Sequence, residues 1–426
     1  MRTTIPSLTG LRFIAAFCVL IAHALPQIVK FQNPPVPVAL LSQIWAEGMT
    51  LFFVLSGFVI YYNYSHSIGQ RSGLYYFFLA RFARLYPLYI VVVVYGLLVK
   101  FSYFQLPAEN IASLPYYATL TQSWLYKPTG HNSLISQFGL IVGVSWSVST
   151  EWFFYMTFPF VCLALASIPS IRARLIAAAI AIVTALAIVT IIHANNAPIQ
   201  QFGIALFGPV AAEPQESLFR WLAYYSPYVR VFEFILGCLC ASIYMKLEAS
   251  RPSEREQRLG RWLTAGALSG ILILHLLMFG IDSNARWHQL VAALHMNFGF
   301  APFLALLIFC CARYQTAFSR LVSTRWMVLC GEASYSLYLG HFLVINAFRY
   351  EAATITAWQV AVGAFLQLAV VILAAIGLSL VTWSLIEVPS RRWLRRKLAA
   401  KPSPNTASLS LESRPVARQQ GANIAT

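Results

Sequence analysis

The chain has 426 residues, 59% of them hydrophobic and only 10% charged, with a mean hydropathy of +0.66. That composition excludes an ordinary soluble domain and reads as a polytopic membrane protein. The net charge of +16 would suit nucleic acid, but the basic residues sit at the ends of apolar runs, so no nucleic-acid partner is expected.

Apolar runs of spanning length fall near residues 8–28, 44–66, 86–106, 143–166, 173–193, 226–246, 262–281, 294–312, 330–348 and 357–386. They predict an all-α fold of about ten transmembrane helices with both termini cytoplasmic. Under that topology 22 of the 30 Lys and Arg lie inside and 6 outside, the asymmetry that sets orientation. One transmembrane domain is expected over 1–397, followed by a Pro/Ser-rich, aperiodic tail over 398–426 that reads as disordered and cytoplasmic. Two outside stretches, 107–142 and 194–225, are rich in aromatics and Pro and suit either lid-like segments or ordinary loops. Ala22-His23-Ala24 imitates a signal-peptide cleavage site, but Arg12 interrupts the run before it, so cleavage is not expected. The seven cysteines show no CxxC or His-flanked spacing, and no metal is expected.

The first run, SLTGLRFIAAFCVLIAHA, carries Arg12 and His23 eleven residues apart. At about 100° per residue that is almost three whole turns, so both side chains leave one face, roughly 16 Å apart along the axis. Ionisable groups seldom sit in an apolar span without a use. Arg12, near the inner end, suits phosphate, because a guanidinium binds phosphate oxygens bidentately and keeps its charge when partly buried. His23, farther across, can take a proton from a hydroxyl and return it. An interhelical hydrogen bond is the plainer alternative for it.

RSGLYYFFLARFARLYPLY sets Arg81 and Arg84 three apart before Pro87, where an anionic cofactor head or plain positive-inside topology would account for them. GVSWSVSTEWFFYMTFPF puts Glu151 at a depth comparable to His23. Glu151 is therefore expected to orient His23 or stabilise its protonated form, as in a catalytic triad, with an ion pair to Arg230 as the alternative. Arg230 and Glu233, three apart in SPYVRVFEFILG, can simply neutralise each other. GEASYSLYLGHF adds Glu332, Ser334, Tyr335 and His341, the last as readily a packing residue as a catalytic one. SLIEVPSRRW closes the final run with Glu387 at the inner interface, beside the basic cluster. No GxSxG elbow, P-loop or dinucleotide fingerprint occurs, so nothing supports a serine nucleophile.

In this order the motifs resemble the integral-membrane acyltransferase-3 family, which includes O-antigen, exopolysaccharide, Nod-factor and peptidoglycan O-acetyltransferases. The likeness covers about residues 5–395. It rests on Arg12 and His23 in the opening signature, Ser56 and Gly57 in FFVLSGFVI, and Arg81, Arg84 and Pro87 in ARFARLYPLY. Trp146, Ser147 and Glu151 in SWSVSTEWFFY, and Arg230, Glu233 and Gly237 in VRVFEFILG, continue it. Gly331, Ser334, Tyr335 and His341, then Glu387 and Pro389 in IEVP, complete it. The chain departs from the family at Thr9, where members often carry Asp, and the extracytoplasmic hydrolase-like domain that some members append is not expected in it.

The resemblance implies acetyl-CoA or another short acyl-CoA as donor, with His23 catalytic and Arg12, Arg81 and Arg84 handling the donor. The combined expectation is a multi-pass enzyme of the bacterial inner membrane that O-acylates a glycan, free or lipid-linked, in contact with membrane lipids. His23, Glu151 and Arg12 are its expected catalytic residues, and Trp146, Ser147, Arg230, Glu233, Tyr335 and His341 its candidate substrate contacts. Direct attack by the acceptor hydroxyl is preferred to an acyl-enzyme relay. A proton-coupled transporter or glycan flippase is the alternative, since intramembrane His, Glu and Arg also serve proton relays. A sensor or scaffold with polar packing residues is a third.

Overall fold

The computed structural model describes residues 4–28, 36–103, 108–129, 132–280, 286–351 and 363–399, so the expected tail lies outside them from residue 400 on. The chain opens with α1 (Pro6–Ile28), α2 (Val36–Ser42), α3 (Trp45–Tyr64), α4 (Arg71–Tyr103) and α5 (Ala108–Ala118). Two-residue strands β1 (Pro128–Thr129) and β2 (Asn132–Ser133) then pair antiparallel. After them come α6 (Gly139–Gly143), α7 (Trp146–Ala166), α8 (Ile171–Ala194), α9 (Asn196–Phe207) and the short α10 (Leu218–Arg220), which runs into a π-helical turn, Trp221–Tyr225. The second half contains α11 (Pro227–Leu247), α12 (Glu254–Gly280), α13 (Arg286–Met296), α14 (Ala301–Arg313), α15 (Ala317–Val322), α16 (Arg325–Glu332) and α17 (Ser334–Glu351). Helices Ala364–Thr382 and Val388–Ala399 close it.

Among the described residues seven helices are long and apolar enough to cross a membrane, or up to nine if two bent pairs each count as one span. This makes the chain a multi-pass membrane protein. The expected ten is not confirmed among the described residues: α3 covers the second predicted run as a helix but is not among these spans. Two predicted spans also break. Near 294–312 the helices α13 and α14 meet at 41°, where buried Phe298 takes a left-handed φ of 60°. At the break Gly299 N donates to Leu294 O, and the side-chain amide of Asn297 donates to Ala223 O, tying the bend to the turn before α11. Near 330–348, α16 and α17 meet at 71°. That bend turns α17 to run beside α1, with Tyr335, Tyr338 and His341 at three-residue intervals along its length.

Helix α1 buries Leu8, Leu11, Ala15, Val19 and Ala22, a stripe at spacings of three and four, and packs on α3, α16 and α17. Its start is fixed where the Ser7 hydroxyl donates to Cys311 O at 2.7 Å. Helices α3 and α11 meet backbone to backbone. A Cβ on Gly57 would stand 2.0 Å from Phe234 O, and one on Gly237 2.1 Å from Val54 O, so both sites admit only glycine without a shift. This contact sets α3 close behind α1 and brings Ser56 and Met49 to the centre of the bundle.

The two long stretches expected outside, 107–142 and 194–225, interlock. The Glu216 carboxylate accepts from Ser133 N and Ser136 Oγ, both at 2.7 Å, and the Tyr126 hydroxyl donates to Glu216 O at 2.8 Å. Together they wall one end of the bundle, on the side where His23 lies.

Candidate active site

Two cavities lie along α1 and meet at Met49 and Tyr338, which line both. The narrow one, about 50 Å³, is lined by Arg12, Ser56, Arg84, Glu151 and Tyr335 among others. The wide one, about 570 Å³, is lined by His23, Gln27, Trp146, Arg220 and Phe342 among others. The Tyr338 ring between them is held by its hydroxyl, which donates to Val144 O at 2.7 Å and accepts from Ser147 Oγ at 2.8 Å. The Arg12/His23 face of α1 thus opens into a narrow space at one level and a wide one at the other.

Arginines gather around the narrow cavity. Helix α4 starts at Arg71, fifteen residues before the predicted span, so Arg81 and Arg84 sit within it rather than ahead of it. Arg81 is 8% exposed and donates through Nη2 to the Tyr64 hydroxyl at 2.8 Å, with its guanidinium 4.9 Å over that ring. Arg84 lies within electrostatic reach of Glu151, Glu387 and Glu332. Arg391, from the basic run after Glu387, joins them: its Nη2 is 2.5 Å from Glu387 Oε2, and Arg84 and Arg81 act on it electrostatically. Glu387 is further held by the Ser336 hydroxyl, which donates to it at 2.5 Å. Arg81 Nε and Nη1, Arg84 Nε and Arg391 Nε are all buried with no hydrogen-bond partner among the described residues. Buried cationic donors left open in one cluster fit an anion with several oxygens, such as a phosphate.

Glu151 does not orient His23. Ser147, one turn before it on α7, is already level with Tyr338, so Glu151 falls on the arginine side of that boundary. Its carboxylate accepts from Ser56 Oγ at 2.9 Å and from the Tyr155 hydroxyl. The alternative pair with Arg230 is not formed either.

His23 is oriented by His341 instead. His341 Nδ1 lies 2.6 Å from Tyr338 O, and His23 Nδ1 lies 3.0 Å from His341 Nε2, with ring planes 6° apart. A carbonyl oxygen only accepts, so His341 Nδ1 carries the proton and, in a neutral ring, its Nε2 is a lone pair. His23 Nδ1 must then donate to it. The one proton order that satisfies both bonds leaves His23 Nε2 as the open base, on a residue lining the wide cavity.

The remaining candidates divide cleanly. Trp146 lines the wide cavity and packs against Tyr224 and Tyr225, while Ser147 and Tyr335 line the narrow one, Tyr335 donating to Leu85 O at 2.7 Å. Arg230 and Glu233 line neither, which corrects their place among the substrate contacts. Both are 0% exposed, 2.8 Å apart. Arg230 also donates to Tyr224 O and Met296 O, and Thr50 Oγ1 donates to Glu233 at 2.8 Å. Full burial and these contacts make them a structural pair joining α11, α3 and the α13 end.

Comparison with known proteins decides the class of chemistry. A family profile described as acyltransferase domain matches residues 5–384. The chain belongs to this acyltransferase family. Acyltransferase MdmB of Streptomyces mycarofaciens is 31% identical over 422 residues, spanning 94% of this chain and 96% of its own. O-acetyltransferase OatA of Staphylococcus aureus is 24% identical over 364 residues, 80% of this chain but 50% of its own length. No solved structure matches. Membership makes the protein an enzyme of O-acyl transfer and displaces the transporter and scaffold readings. The candidate site includes two residues and one pairing that the sequence alone did not point to. Tyr338 and Arg391 went unread, although Tyr338 shares the three-residue spacing of Tyr335 and His341; the partnership of His341 with His23 spans 318 residues and has no local signal.

Proposed function

We propose that this acyltransferase moves an acetyl or other short acyl group from acyl-CoA to a hydroxyl of a cell-envelope or exported carbohydrate, in the inner membrane of a bacterium. The observation that carries the reading is the meeting of the two cavities at Tyr338, with open arginine donors around one and the His23 base lining the other. CoA would enter at the arginine end, taken as cytoplasmic from the positive-inside pattern. Its phosphates would meet the open nitrogens of Arg81, Arg84 and Arg391, and its thin arm would follow the narrow cavity past Glu151 to Tyr338. Glu151 here positions and balances the arginines rather than touching the reacting atoms.

The wide cavity suits a sugar. Trp146, Tyr224, Tyr225 and Phe342 offer ring faces, and Gln27, whose buried Oε1 has no partner among the described residues, offers an acceptor for a hydroxyl. In the transfer step His23 Nε2 takes the proton of the acceptor hydroxyl as its oxygen attacks the thioester carbon. The carbon–sulfur bond then breaks and the proton passes from His23 to the departing thiolate. No enzyme nucleophile is required.

The test is transfer of labelled acetyl from acetyl-CoA to alkali-labile esters on envelope glycan extracts by the purified protein. Wild type should transfer label; absence of label under donor saturation, with folded protein, overturns the reading. Arg84→Gln should raise KM for acetyl-CoA about 10- to 100-fold, since it removes a charge-assisted contact of about 1.5–3 kcal/mol, and leave KM for the acceptor unchanged. An unchanged donor KM would remove the arginines from CoA binding.

A further inference from the structure

Beside the first turn of α3, three ligating side chains from three helices converge away from the arginine cluster. Glu47 of α3, His275 of α12 and His295 of α13 are all buried, and each offers a ligand atom within 4.8 Å of the other two. His275 Nδ1 is 2.5 Å from Glu47 Oε1 and 3.3 Å from His295 Nε2. Its other nitrogen, Nε2, is 2.9 Å from Leu40 O on α2. Because that carbonyl only accepts, His275 Nε2 carries the proton, and a neutral ring turns the Nδ1 lone pair toward Glu47.

A lone pair and a carboxylate oxygen at 2.5 Å repel unless a positive charge lies with them. A proton on Nδ1 answers that contact as an ion pair, whereas a cation would engage His295 Nε2, the third converging ligand atom, as well. A further observation agrees: Glu47 Oε2 is buried with no hydrogen-bond partner among the described residues, and the Glu47 side chain is 11% exposed. Two imidazoles and a carboxylate, one imidazole braced through its second nitrogen by a backbone carbonyl, are the ligand set and the outer support of a zinc site.

We propose that Glu47, His275 and His295 bind a divalent zinc-type cation that clamps the ends of α12 and α13 onto α3. The clamp would stand behind the wide cavity. Met296, next to His295, accepts from Arg230, and Met49, two residues after Glu47, lines both cavities. The sequence offered no sign of it, because its ligands lie at positions 47, 275 and 295 with no local spacing. The site shares no ligand with the proposed donor or acceptor contacts, so it stands or falls apart from them.

The experiment uses the full-length protein purified in detergent, stripped with a chelator and titrated with Zn²⁺, read by elemental analysis, calorimetry and thermal midpoint. Wild type should retain about one zinc per chain and gain thermal stability on adding it. Glu47→Gln and His295→Gln should each weaken zinc by more than the 10–100-fold that loss of an outer partner costs. Co²⁺ in place of zinc should give the visible absorption of a four-coordinate site in wild type only. A wild type that keeps no zinc and whose midpoint moves with neither zinc nor chelator overturns the proposal, leaving a proton-bridged His–Glu pair. So does equal affinity in wild type and both variants, which marks surface binding. The wild-type readings decide the matter even if a variant fails to fold.

Discussion

His23→Ala should lower kcat for acetyl transfer about 10²- to 10⁴-fold, the range a positioned general base contributes, with the donor KM little changed. The size follows from the hydrogen-bond chain: Tyr338 O fixes the His341 tautomer, His341 fixes that of His23, and only Nε2 of His23 is left to take a proton. Alanine removes the base outright. His341→Ala keeps the base but frees its ring and tautomer, so its kcat should fall less, and His341→Gln, which can still accept from His23 Nδ1, should restore part of the difference. The measurement is steady-state turnover of purified variants with labelled acetyl-CoA. Equal losses in His23→Ala and Glu151→Gln at saturating donor would instead return Glu151 to the reacting atoms.

Arg230→Met is expected to destabilise the protein by about 3–5 kcal/mol, because it strands the Glu233 carboxylate at 0% exposure. The guanidinium also satisfies Tyr224 O and Met296 O, which lose their donors with it. Arg230→Met combined with Glu233→Met removes both charges and should recover much of the loss, which separates a structural pair from a catalytic one. Thermal unfolding in detergent measures the stability, and donor and acceptor KM of the double variant check the site. A stable Arg230→Met variant with a raised acceptor KM would put Arg230 back in contact with substrate.

Helices and class of chemistry were legible because they rest on local signals. The stripe of α1, the Arg12/His23 face and the basic ends of apolar runs all follow from periodicity and charge, and the order of seven short motifs led to the family. Depth was less legible. Helical rise assumes straight spans with known starts, and here α4 begins early, α17 turns at 71° to α16, and Glu151 lies past the Tyr338 boundary. Contacts between distant residues were not legible at all. His341 with His23, Arg391 with Glu387 beside Arg84, and Glu47 with His275 and His295 depend on helix packing that spacing alone does not encode.

On the proposed path the acyl group travels from the arginine cluster past Tyr338 to His23. The most direct measurement is a structure of the His23→Ala protein, slowed in turnover, with acetyl-CoA bound. CoA phosphates are expected on Arg81, Arg84 and Arg391, the arm in the narrow cavity, and the thioester at Tyr338, facing the space that the His23 ring occupies in wild type. CoA entering through the wide cavity, or an acetyl group lodged away from residue 23, would contradict it.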